Sequence, residues 1–109
     1  MTTYVFDLDG TLCTTVDDGD YSKAKPIKDR VKVVNKLHDD GHTIKILSAR
    51  GMGRYEDNSV AVYEEFYELT LDQLEKWGVK FDNLFLGKPS GDFYIDDKGM
   101  WDYDFFREK

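Results

Sequence analysis

Cysteine occurs once in this sequence and proline twice. The lone Cys13 cannot close an internal disulfide, so the chain depends on a hydrophobic core and suits a reducing compartment. No apolar stretch approaches the ~20 residues of a membrane span. The first residues run straight into an apolar segment without a basic stretch or a signal-like core, which argues against secretion and makes the cytoplasm the expected location. Basic residues are the minority, 15 Lys and Arg against 22 Asp and Glu, for a net charge of −7. With no Lys/Arg block to match a polyanion, neither nucleic acid nor a membrane is an expected partner. At 109 residues the chain is expected to fold as one domain over 1–109. A chain of this size buries roughly 60–70% of its unfolded surface, enough for one core but not for a separate cap.

What is present begins at Tyr4-Val5-Phe6, an apolar run that leads into Asp7-Leu8-Asp9-Gly10-Thr11. In extended backbone Leu8 points away from its neighbours, so Asp7 and Asp9 share a side and can share one cation or substrate. Gly10 permits a sharp bend, and Thr11 offers a hydroxyl and a backbone N–H to an anion. A solvated Asp-Gly turn after an edge strand is the plainer reading of these residues alone.

Three further polar groups stand where strands should end. Ser48 follows Thr43 to Leu47, Lys88 follows Leu84 to Gly87, and Asp96-Asp97 follow Phe93-Tyr94-Ile95. Open parallel α/β sheets bind ligands outside the carboxyl ends of their strands, so these endings converge on one crevice. The expected fold is a compact, Rossmann-like α/β domain with a mostly parallel sheet flanked by helices.

In this order the four motifs resemble those of the haloacid-dehalogenase-like superfamily of aspartate-nucleophile phosphatases, over nearly the whole chain. A closer resemblance, to the small phosphatases of capsular polysaccharide biosynthesis, lies in Asp7 to Leu12 with Asp18-Gly19-Asp20-Tyr21. It continues in Ser48-Ala49-Arg50 with Arg54-Tyr55-Glu56 and Asn58, and in Gly87-Lys88-Pro89 leading to Tyr94-Ile95-Asp96-Asp97-Lys98. The resemblance implies an Mg²⁺-dependent phosphomonoesterase acting on a small phosphate ester such as a phosphorylated sugar or sugar acid. It makes Asp7 the nucleophile and Asp9 the general acid and base. Mg²⁺ is assigned to Asp7, the Asp9 carbonyl and Asp96, with Asp97 beside them or bound through water. Gly10, Thr11, Ser48, Ala49 and Lys88 form the phosphate cradle, Lys88 also balancing charge at the nucleophile. A phosphatase for polynucleotides or phosphoproteins would use the same residues, and a non-catalytic phosphate- or metal-binding module is the rival from another class.

Selectivity is expected from the surrounding loops. Arg50 and Arg54 follow Ser48 closely enough to grip a second anionic group bidentately. Residues 13–25 read as a flap whose Asp18, Asp20 and Tyr21 could meet sugar hydroxyls, although an exposed acidic loop explains them equally well. Cys13 is read as a small buried residue, and His38 and His42 as structural groups near a helix end.

Pro26 fits the first turn of a helix whose apolar stripe is Ile27, Val31, Val34 and Leu37 or His38, ending before Gly41. A second is expected from Ser59 to about Glu68. Thr70 and Gln73 have capping-box spacing, which predicts a fresh helix closed by Gly78. Only Lys88 to Asp92 separate the third apparent strand from the fourth, too few for a parallel crossover. The third is therefore expected to run antiparallel or to act as a short arm carrying Lys88. The C-terminal aromatics Trp101, Tyr103, Phe105 and Phe106 are expected to cover the sheet, self-association into a homo-oligomer being the alternative.

Overall fold

The computed structural model describes residues 1–107 and 109. Three strands, β1 (Thr3–Asp7), β2 (Thr43–Ser48) and β3 (Asn83–Leu86), form a parallel sheet in the order β1-β2-β3. The register sets Asp7 opposite Leu47 and Ser48 opposite Leu86, so all three strands end on one rim. Helix α1 (Lys28–Asp39) joins β1 to β2, α2 (Ser59–Lys76) joins β2 to β3, and α3 (Asp102–Arg107) follows β3. This is the expected parallel α/β sheet flanked by helices, with no separate cap domain among the described residues.

Strand alternation explains which face is covered. Phe6, Ile44, Ile46, Leu84 and Leu86 point inward and are buried with Val31 and Val34 of α1 and Val62, Phe66 and Leu74 of α2. Each large apolar side chain so buried contributes about 1.5–3 kcal/mol. Phe105 and Phe106 of α3 join this face, their rings 5.5 and 6.0 Å from that of Phe6. The alternate residues Val5 and Phe85 remain exposed, so the opposite face is open.

Helix α1 carries the expected stripe, but it begins at Lys28 with Ile27 as its N-cap, so Pro26 precedes the first turn rather than lying in it; Gly41 follows in the left-handed region at φ +95°. Three corrections concern other elements. First, α2 is one continuous 18-residue helix: Thr70 lies inside it, buried, and caps nothing. Second, β3 runs parallel to β2, because α2 supplies the long crossover that parallel pairing needs. Third, Phe93 to Ile95 form no strand. The five residues after Gly87 are too few for a crossover, and Phe93 and Ile95 stand 86% and 96% exposed.

Candidate active site

The turn after β1 is built on one carbonyl. Leu8 O accepts from the backbone N–H groups of Thr11 (3.0 Å), Leu12 (2.8 Å) and Cys13 (3.2 Å), while Gly10, at φ +84°, donates to Cys13 O at 2.8 Å. Leu8 and Leu12 are fully buried, which anchors the turn in the core and leaves Asp7 and Asp9 part-exposed above it. The N–H of Thr11 is thereby used within the turn, contrary to its expected role toward an anion. Its hydroxyl instead donates to Asp7 Oδ2 at 3.0 Å.

Each aspartate has its own cation. Lys88, delivered by the end of β3, donates from Nζ to Asp7 Oδ1 at 3.4 Å and lies 4.2 Å from the centre of the Tyr94 ring. Its backbone N–H donates to Ser48 O at 3.1 Å, which ties the loop after β3 to the end of β2. Asp9 is held by Arg50 as a fork: Nε donates to Oδ2 at 2.9 Å and Nη2 to Oδ1 at 3.0 Å. Such bidentate pairs combine charge with fixed geometry.

Arg50 therefore does not do what the sequence predicts. It is 1% exposed and lies beneath the site. Beyond Asp9, its Nη1 donates to Thr70 Oγ1 (3.1 Å) and Gln73 Oε1 (2.5 Å), its Nη2 reaches Cys13 Sγ at 3.8 Å, and the Tyr21 ring lies 4.8 Å from its Cζ. All five guanidinium N–H groups have acceptors. None remains for a second anion of a substrate.

Arg54 is engaged as well, donating to Glu65 at 3.1 Å and to Gly19 O at 3.2 Å. It pins the flap to α2. In the flap, Tyr21 Oη accepts from Gly51 N–H at 3.0 Å and its ring packs edge-on to Phe66, so it is a strut rather than a sugar contact. Asp18 pairs with Lys23 at 2.6 Å, which holds its carboxyl below the usual range, and Asp20 accepts from Ser22 N–H. Both acidic groups are satisfied within the loop.

Ser48 is fully buried, its Oγ accepting from Arg50 N–H at 3.1 Å. Half-buried Ala49 accepts from Met52 N–H at 3.0 Å. Cys13 is buried as expected; burial first, then the Asp9 charge, push its thiol up to about 12. His38 faces Asp82 at 3.6 Å and His42 Nδ1 accepts from Thr2 N–H, both away from the rim.

Asp96 and Asp97 are exposed, and Asp96 Oδ1 accepts from the N–H groups of Lys98 and Gly99 in a local turn. The structure does not bring them to Asp7, because the stretch that carries them never pairs with β1. Among the described residues no three His, Cys, Asp or Glu side chains gather as a metal cluster. The part-exposed Asp7 carboxylate at the rim is nonetheless a hard oxygen donor, which fits Mg²⁺, an ion that keeps several waters and takes one or two protein carboxylates plus substrate phosphate.

Three contributors escape a reading of the sequence. Thr70 and Gln73 supply the Arg50 socket, and Arg30 of α1 donates to Thr11 O (3.0 Å) and to Asp102 of α3 (2.6 Å), bracing the turn after β1. The i, i+3 spacing of Thr70 and Gln73 was the one signal available, since it also places two side chains on the same helix face.

A crystal structure of a structural-genomics target from Vibrio cholerae is 31% identical to this chain, with a TM-score of 0.88 over 97% of this chain and 88% of that one. The chain belongs to the same family as that protein. Two structures of the Pnkp1/Rnl/Hen1 complex, one described as an RNA repair complex, share the fold at TM-scores of 0.58. Identity to them is 22% and 20%, and 30% of each of those chains is covered. No protein-family model and no curated protein matches.

Proposed function

We propose that this protein is a phosphomonoester hydrolase of the haloacid-dehalogenase type, acting through an aspartyl-phosphate on Asp7. The observation that carries the reading is the setting of Asp7 at the C-terminal end of β1, between Lys88 Nζ at 3.4 Å and Thr11 Oγ1 at 3.0 Å. A carboxylate repels a phosphate dianion unless positive charge is already in place, and Lys88 supplies it on the nucleophile itself. Mg²⁺, held by Asp7 and the Asp9 carbonyl, would neutralise further phosphate charge when bound.

In the first step an Asp7 oxygen attacks phosphorus and the bond to the leaving oxygen breaks, that oxygen taking a proton from Asp9. In the second, Asp9 accepts a proton from water as it attacks phosphorus and releases Asp7. The resemblance of the motifs favours a small phosphorylated sugar of the kind used in capsule biosynthesis. A preference for acidic sugars loses its basis, since Arg50 and Arg54 are committed within the protein. An RNA end, suggested by the RNA repair complexes of like fold, is opposed by the net charge of −7.

The test is hydrolysis of a panel of phosphorylated metabolites with Mg²⁺ and with EDTA, beside Asp7→Asn protein. Wild type should turn over at least one ester only with the metal, and trap label as an acid-stable, alkali-labile phosphoenzyme. Asp7→Asn should do neither while keeping its fold. Undiminished hydrolysis by that variant would remove Asp7 as nucleophile.

A further inference from the structure

The buried guanidinium of Arg50 joins four parts of the chain: the turn after β1 through Asp9 and Cys13, the end of β2 on which it sits, α2 through Thr70 and Gln73, and the flap through Tyr21. A carboxylate has about four lone-pair positions. On Asp9, Arg50 fills one on each oxygen, and the Cys13 thiol donates to Oδ1 at 3.4 Å. One position remains, on Oδ2. The Asp9 rotamer is thus set from below, while Thr70 and Gln73 fix the plane of the guanidinium. Gln73 carries the linkage on, its Nε2 donating to Tyr21 O at 2.7 Å.

We propose that Arg50, seated on Thr70 and Gln73, is a positioning residue that fixes the Asp9 carboxylate for proton transfer at Oδ2. This rests on the phosphatase reading above, and on Asp9 as its acid and base. Lysine could keep the charge here but not the fork, since an ammonium is a point donor and cannot hold both oxygens in one plane.

Misplacing Asp9 should hurt most where the leaving oxygen needs a proton. In kcat/KM, which covers steps up to departure of the leaving group, an alkyl phosphate such as glycerol phosphate needs that proton; p-nitrophenyl phosphate, whose phenolate leaves readily, needs it far less. With Mg²⁺, Arg50→Lys should lose about 10²-fold on the alkyl ester, the scale of general acid catalysis, and less than about tenfold on the aryl ester. Thr70→Val keeps the shape of α2, removes one hydrogen bond to Nη1 and leaves Asp9 untouched. It should lose about fivefold on the alkyl ester, roughly one hydrogen bond, again with the smaller loss on the aryl ester. Should Arg50→Lys fail to fold, Thr70→Val decides alone. Equal losses on the two esters, or none, would overturn the positioning role while leaving the phosphatase reading standing. A wild-type protein that hydrolyses neither ester nor any metabolite of the panel would overturn both.

Discussion

Replacing Asp9 by asparagine should unsettle the protein as well as its chemistry, and the two aspartates should differ sharply in this. Arg50 has a side chain 0% exposed and Asp9 one 20% exposed. In Asp9→Asn the amide oxygen can still accept one guanidinium N–H, but the amide nitrogen then confronts the other, and a buried cation loses its counter-ion. Breaking a buried pair from one side costs about 3–5 kcal/mol. Because Asp9 is one-fifth open to water, about 2–4 kcal/mol is expected here. At ~4 °C per kcal/mol for a domain of this size, Tm should fall by about 8–16 °C. Asp7 offers the internal control: its side chain is 33% exposed, its lysine 20%, and their 3.4 Å contact is worth about 0–1 kcal/mol. Asp7→Asn should therefore stay within ~4 °C of wild type. Thermal and urea denaturation followed by circular dichroism reads both. Adding Arg50→Met to Asp9→Asn removes the orphaned charge and should recover at least about 1 kcal/mol relative to the sum of the single changes. An Asp9→Asn protein that melts with wild type, or a double variant whose losses simply add, would show that the Asp9–Arg50 fork holds nothing together.

Two further outcomes follow from the surroundings of this fork. Gly51 has φ +74°, and a Cβ there would lie 2.4 Å from Phe66 Cε2, so Gly51→Ala should lower stability by about 2–4 kcal/mol in urea denaturation, combining left-handed strain with displaced packing; an unchanged midpoint would refute that crowding. The Cys13 thiol, raised to about 12, should resist alkylation in the folded protein at pH 8. It contributes stability that is complete below the unfolded pKa near 8.5 and is lost as pH rises toward 12, at up to ~1.4 kcal/mol per pH unit. Cys13→Ala should lack that alkaline contribution, and an identical fall in the variant would locate the pH sensitivity elsewhere.

The parts of this fold legible in the sequence are those where one pattern has one structural meaning. The alternation in Thr43 to Ser48 belongs to a half-covered strand, and the stripe from Ile27 to Leu37 to an amphipathic helix; both are found. Asp7 with Lys88 was legible because both follow apolar runs at strand ends. Thr70 and Gln73 show the opposite case. Three-residue spacing serves a capping box and equally a single face of a continuing helix, and only the presence of a buried guanidinium beside α2 selects the second. Arg50 itself was misread because an arginine in a loop ordinarily reaches solvent. Its burial depends on five acceptors drawn from sequence positions as far apart as 9 and 73, which no local pattern brings together. Phe93 to Ile95 has the composition of a strand, but Lys88 to Asp92 is too short for a parallel crossover, and the segment pairs with no strand among the described residues.

The choice of cation at each aspartate has a chemical logic. Lys88 makes one long contact to Asp7 and lies over the Tyr94 ring, so its flexible, compact ammonium can turn from the carboxylate to an arriving phosphate without leaving a buried group unpaired. In the proposed phosphatase reaction Asp7 would need such a partner, because the charge it balances would shift from carboxylate to phosphoryl group. Arg50 has every donor engaged and lies sealed beneath Asp9. It cannot follow a moving charge, and Asp9, as the acid and base of the proposed reaction, would need a support that does not. Two carboxylates a single residue apart are thereby suited to different tasks by the mobility of the cation beneath each.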